Sequence, residues 1–120
     1  MNTRGLTQHI NSQDRWPLYN VAQTRAIELQ AQASLPAFTL MQRAGLATAQ
    51  LAMAIAPHAQ KIWIACGPGN NGGDGLEAAL HLQAWGKQPI VTWLGHEKHS
   101  PTDALQAWQR AKNAGVSFVE

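Results

Sequence analysis

Ten consecutive residues concentrate the groups able to do chemistry: Cys66-Gly67-Pro68-Gly69-Asn70-Asn71-Gly72-Gly73-Asp74-Gly75. Glycines at this density let a backbone adopt positive φ angles and come close to a ligand. The helix expected to follow would offer its N-terminal amides to an anion. Gly67, Gly69 and Gly72 satisfy G-x-G-x-x-G, and Glu97 lies near the place of a ribose-binding acid. That pattern alone describes an NAD(P)-dependent oxidoreductase. Two residues fit a pyrophosphate cradle poorly. Pro68 removes a backbone donor, and Asp74 sets a carboxylate where a phosphate would sit. A carboxylate beside two carboxamides is better matched to hydroxyls, amides or a hard cation, which prefers oxygen ligands. The plainer alternative makes Asp74 a helix cap and the asparagines fillers of left-handed turn positions.

The elements around this segment follow from periodicity. Lys61–Cys66 is a short apolar run ending in glycine and reads as a strand buried on both faces. A helix is expected from Asp74 to about Trp85, stopped by Gly86. Pro89–Leu94 reads as a second strand, Asp103 to about Ala114 as a helix capped by Thr102, and Val116–Val119 as a third strand. Upstream, Asn20 can cap a helix from Val21 to about Ala33. Pro36 opens another that runs to about Ile55, ended by Pro57. Its small residues Ala44, Gly45, Ala47, Ala49 and Ala52 suit a close neighbour, inside the fold or in a dimer.

The order α-α-β-α-β-α-β implies a Rossmann-like α/β fold: a three-layer α/β/α arrangement with a parallel sheet and N-terminal helices before the first strand. The turn after the first strand is the expected ligand position in such a sheet. A three-stranded sheet would leave a buried-type strand on an edge, so the fold is expected to be incomplete in these residues.

Composition narrows the function classes. The chain has 120 residues, 45% of them hydrophobic, which is enough for a core. Nine Lys+Arg against seven Asp+Glu give a net charge of +2. Such balance argues against a nucleic-acid partner or a membrane surface. No run approaches the roughly 18 apolar residues of a membrane span. Residues 1–16 lack the apolar core of a signal peptide and read as a flexible polar lead-in to a cytoplasmic domain. Cys66 is the single cysteine, which excludes an intrachain disulfide. Its position at a strand end suggests packing rather than nucleophilic work. His96-Glu97-Lys98-His99 lacks H-E-x-x-H spacing and reads as a solvated turn. Trp63 and Trp93 read as core, with Trp85 and Trp108 covering helix faces.

The run Gly67–Gly75, followed by Leu76 and Ala78-Ala79-x-His81-Leu82, closely resembles the signature of the YjeF N-terminal domain family, the NAD(P)H-hydrate (NAD(P)HX) epimerases. Thr39-Leu40-Met41-Gln42-Arg43-Ala44-Gly45 is similar to that family's second-helix motif, with Gln42 where the family often has Glu. The resemblance implies epimerisation of R- and S-NAD(P)HX, the hydrated forms of NADH and NADPH. It implies substrate contacts from Asn70, Asn71, Gly72, Gly73 and Asp74, a potassium ion ligated by Asn71, and Asp74 as the general acid/base. It leaves room for a fused C-terminal ADP-dependent dehydratase that consumes the S form, while the small residues of the second helix leave room for a homo-oligomer. On this reading residues 17–120 are the N-terminal half of an epimerase domain. A non-catalytic interaction module of the same fold is the remaining alternative, and the intact Asn-Asn-Gly-Gly-Asp run speaks against it.

Overall fold

The computed structural model describes residues 11–120. Residues 1–10 of the expected lead-in lie outside the described residues. The elements are α1 (Val21–Ser34), α2 (Thr39–Ile55), β1 (Lys61–Cys66), α3 (Asn70–Ala84), β2 (Gln88–Trp93), α4 (Thr102–Asn113) and β3 (Ser117–Val119). The order is the one the periodicity implies.

The strands form one parallel sheet in the order β1-β2-β3. The register aligns Ile64 with Val91 and Val91 with Phe118. Registered neighbours share a face. On this face Ile64, Cys66, Val91, Trp93 and Phe118 pack with Leu76 and Ala79 of α3 and Ala107 and Ala111 of α4. Both crossover helices therefore cover the same face. Right-handed crossovers require this when each new strand is added in the same direction.

The other face explains two departures from expectation. β1 is not buried on both sides: Lys61, Trp63 and Ala65 are exposed. Trp63, expected in the core, is 68% exposed, and its indole N–H donates to Thr92 Oγ1 across the open face at 3.0 Å. An apolar run reports hydrophobicity, not which neighbours cover it. Trp93 does face the helices, stacked on Trp108 with ring centroids 5.1 Å apart.

α2 packs outside α3. Ala49, Ala78 and Leu82 are buried together, with Ala52, Met53 and Ile62 around them. A Cβ on Gly45 would strike that of Glu77, so the small residues of α2 serve close helix packing within the fold. α1 is held by a capping box: Gln23 N–H donates to Asn20 Oδ1 at 2.9 Å, and Asn20 N–H donates to Gln23 Oε1 at 3.0 Å. It buries no residue fully. No helix among the described residues is long and apolar enough to cross a membrane.

Candidate active site

The Gly67–Gly75 segment leaves β1 and enters α3 three residues after Gly67. The helix begins at Asn70, four residues before the expected start at Asp74. The Gly69 carbonyl accepts from the Gly72 and Gly73 amides at 3.1 and 3.4 Å, which closes the first turn. Asn70 and Asn71 are thus first-turn residues rather than left-handed turn fillers. Asp74 lies in the second turn and caps nothing; the N-cap is Gly69, with no side-chain cap.

The glycines serve proximity, not unusual torsions. The positive-φ glycines among the described residues are Gly86 and Gly115, both just after helices, as helix-stopping glycines should be. A Cβ on Gly72 would strike the Gly67 carbonyl oxygen, so only glycine lets α3 start this close to the end of β1. A Cβ on Gly73 would meet the Met41 side chain and come within 3.1 Å of Ala104 Cα. Gly72 and Gly73, expected to touch substrate, are buried in this packing with their amides engaged by Gly69.

What the packing creates is a cavity of about 240 Å³ at the head of α3. Asn70, Asn71 and Asp74 line it from α3, Leu40, Met41 and Ala44 from α2, Glu28 and Gln32 from α1, and Asp103 from α4. Three of the five expected site residues therefore meet at one cavity. A neighbouring cavity of about 360 Å³ shares Gln32, Leu40 and Asp103 with it and continues toward Leu35–Phe38. Glu97 lies elsewhere, on a cavity with Trp93 and His96, so the acid that the dinucleotide pattern needs does not meet Asp74.

The site is oxygen-rich. Burial, and then the nearby Glu28 charge, raise the Asp74 carboxyl above its ordinary value. Asp74 thus holds a proton more readily than a free aspartate. Cys66 is fully buried and has its thiol pushed up to about 11 by desolvation, so it is packing, as expected.

The polar donor set fits a hard cation: carboxamides and carboxylates, with no thiol or imidazole lining the cavity and Met41 as its one sulfur. No group of three or more His, Cys, Asp or Glu side chains among the described residues is placed to hold a metal ion. A cation here would rest largely on neutral oxygens such as the Asn71 carboxamide.

Sequence reasoning missed Glu28, Gln32 and Asp103. Glu28 and Gln32 stand four apart on α1 and so share a face. Nothing in their spacing says which surface that face meets. Asp103 was findable: it follows β2, and in parallel sheets the loops after strands converge on the ligand end.

A parallel α/β sheet with a glycine-packed strand-to-helix turn and a carboxylate–carboxamide cavity defines a Rossmann-like ligand-binding domain. Residues 37–120 match the family described as YjeF-related protein N-terminus, and the chain belongs to that family. A protein of Fusarium vanettenii named NAD(P)H-hydrate epimerase is 42% identical over 84 residues, covering 68% of this chain and 34% of that protein. One of the same name from Bordetella pertussis is 43% identical over 89 residues, covering 74% and 38%. The chain thus spans little more than a third of these relatives' length. The crystal structure of yeast ynu0, YNL200c, superposes with a TM-score of 0.66 at 26% identity, covering 80% of this chain and 44% of that one.

Proposed function

We propose that this chain provides the substrate-binding turn and a general acid/base of an NAD(P)H-hydrate epimerase, which interconverts the R and S forms of hydrated NADH and NADPH. The observation that carries the reading is the meeting of Asn70, Asn71 and Asp74 at one cavity, in a family whose named relatives are such epimerases. The cavity has room for a single substituted ring, and the adjoining one offers space for the rest of a long ligand.

The chemistry follows from the substrate. Water adds to a dihydronicotinamide ring at the carbon beside the ring nitrogen. The hydroxyl there leaves as water if it receives a proton, while the nitrogen lone pair forms a C=N bond. Water returning from the other face restores the hydrate with inverted configuration and surrenders a proton to solvent, from which Asp74 regains the one it gave. No electrons leave the ring, so a redox partner is unnecessary. Asp74, whose surroundings raise its hold on a proton, gives the first proton. The carboxamides of Asn70 and Asn71 can each donate to and accept from the nicotinamide carboxamide, fixing which ring face meets Asp74. A potassium ion, held in part by Asn71, would supply positive charge to a substrate oxygen. The polar N-terminus and single cysteine support a cytoplasmic enzyme. It delivers the S form to an ADP-dependent dehydratase, fused to it or separate. The potassium ion and the dehydratase rest on the family resemblance.

A titration tests the reading. Hydrated NADH should raise the melting temperature of the protein, more so in potassium than in sodium, and Asn71→Ala should abolish the difference between the two salts. Equal stabilisation by NADH and its hydrate, indifferent to the salt, would favour a plain dinucleotide-binding site.

A further inference from the structure

α2 begins on a strained residue. Phe38, immediately before its first turn, holds φ 71° and ψ −7°, the left-handed region, and is the non-glycine residue that does so among those described. Its ring is buried, and no side chain caps the helix there. A left-handed phenylalanine persists only where its surroundings hold it.

The ring belongs to the core cluster with Met41, Leu76 and Ala107, and Arg110 of α4, its side chain 43% exposed, lies over it. Its guanidinium carbon stands 5.5 Å from the centroid of the Phe38 ring. The same guanidinium places Nη1 3.5 Å from Glu77 Oε1 of α3. Glu77 is 1% exposed and its Oε1 accepts no hydrogen bond, so the buried carboxylate depends on Arg110 for its charge partner. One side chain therefore reaches the start of α2 and the middle of α3, the helices that supply two of the cavity's walls. The α2 turn that Phe38 opens carries Leu40, Met41 and Ala44; the α3 turn before Glu77 carries Asp74. Arg110 itself does not line that cavity.

We propose that Arg110 is a positioning residue for the Asn70–Asp74 cavity: from α4 it braces the Phe38 ring of α2 and the buried Glu77 of α3 together, and so fixes the spacing of the cavity's two walls. The proposal rests on the reading of that cavity as the substrate site. It also makes the left-handed Phe38 functional, because relaxing it would swing Leu40 and Met41 away from Asp74.

The test must separate positioning from stability. Removing Arg110 alone would strand the buried Glu77 charge, whereas replacing both partners as a unit with apolar residues removes that charge with its partner and is often neutral for stability. The double variant Glu77→Leu/Arg110→Leu of the complete protein is therefore the probe. It is expected to melt near the parent, yet to exchange the amides of residues 38–44 and 70–74 about tenfold faster, with β1 and β2 unchanged. Its affinity for hydrated NADH should fall about tenfold. Arg110→Lys, which keeps a cation over Phe38, should recover most of both. A double variant with the parent's exchange and affinity overturns the proposal. If the double variant does not fold, Phe38→Leu decides: it keeps the ion pair and removes the ring, and unchanged exchange over residues 38–44 overturns the brace. If the parent itself does not bind hydrated NADH, the functional reading falls while the exchange data still judge the brace.

Discussion

Glu28 and Asp74 line the same cavity although forty-five residues separate them in the chain, and Glu28 lies outside the segment that matches the family. α1 buries no residue fully, yet it adds Glu28 to a cavity that Asp74 and Asp103 already line, and helps to raise Asp74. Two carboxyls in one cavity resist ionising together, so the one that holds its proton is available as an acid.

Glu28→Gln should therefore lower the Asp74 pKa toward the ordinary aspartate range, though not fully, because burial is the larger cause. A carboxyl-carbon NMR titration reads this directly, and an unmoved Asp74 would show that the two do not interact. Stability gives the sign a second way. The folded protein binds the Asp74 proton more tightly than the unfolded chain, so this group opposes folding increasingly as pH rises from the ordinary aspartate value through its raised pKa, and fully above it. Asp74→Asn should then be more stable than the parent at neutral pH. The advantage should fade as pH falls through the carboxylate range.

The glycines of the turn should divide by packing and not by position in a motif. Gly72→Ala meets backbone that cannot yield and should destabilise by about 3 kcal/mol or more. Gly73→Ala meets a flexible Met41 side chain and the Ala104 backbone, and should cost about 1–3 kcal/mol. Gly67→Ala has open space and negative φ, and should change stability by less than about 1 kcal/mol. Urea unfolding of the three variants measures the order. Equal losses at all three would contradict the packing account.

Cys66 should be inert in the folded protein. A buried thiol raised to about 11 is almost wholly protonated at pH 8, and the thiolate is the reactive form. Iodoacetamide should label it slowly in buffer and quickly in urea. Rapid labelling of the folded chain would reopen a nucleophilic role.

Much of this was legible in the residues. Element order and the parallel sheet followed from local signals: two short apolar runs, the glycines Gly86 and Gly115, and the Asn20 cap. Pro36 misled. It lies in a turn, and α2 waits until Thr39 because Phe38 takes a left-handed conformation that no propensity announces. Trp63 misled because its exposure depends on both helices sharing one sheet face, a tertiary fact. The Asn70–Asp74 stretch looked like a loop because its glycines disfavour helix. Packing against Gly67, Met41 and Ala104 overrides that preference. Glu28, Glu77 and Arg110 gave no sequence signal at all, since each matters only through a neighbour on another helix.

The central claim is that the Asn70–Asp74 cavity serves epimerisation, and the rate of R to S conversion tests it most directly. Pure R-NADHX is incubated with the complete protein, and the epimers are separated by chromatography over time. The account predicts conversion well above the spontaneous rate and a fall of about a hundredfold or more in Asp74→Asn, as loss of a general acid commonly brings. A parent protein that leaves the spontaneous rate unchanged, or an Asp74→Asn variant as fast as the parent, would contradict it.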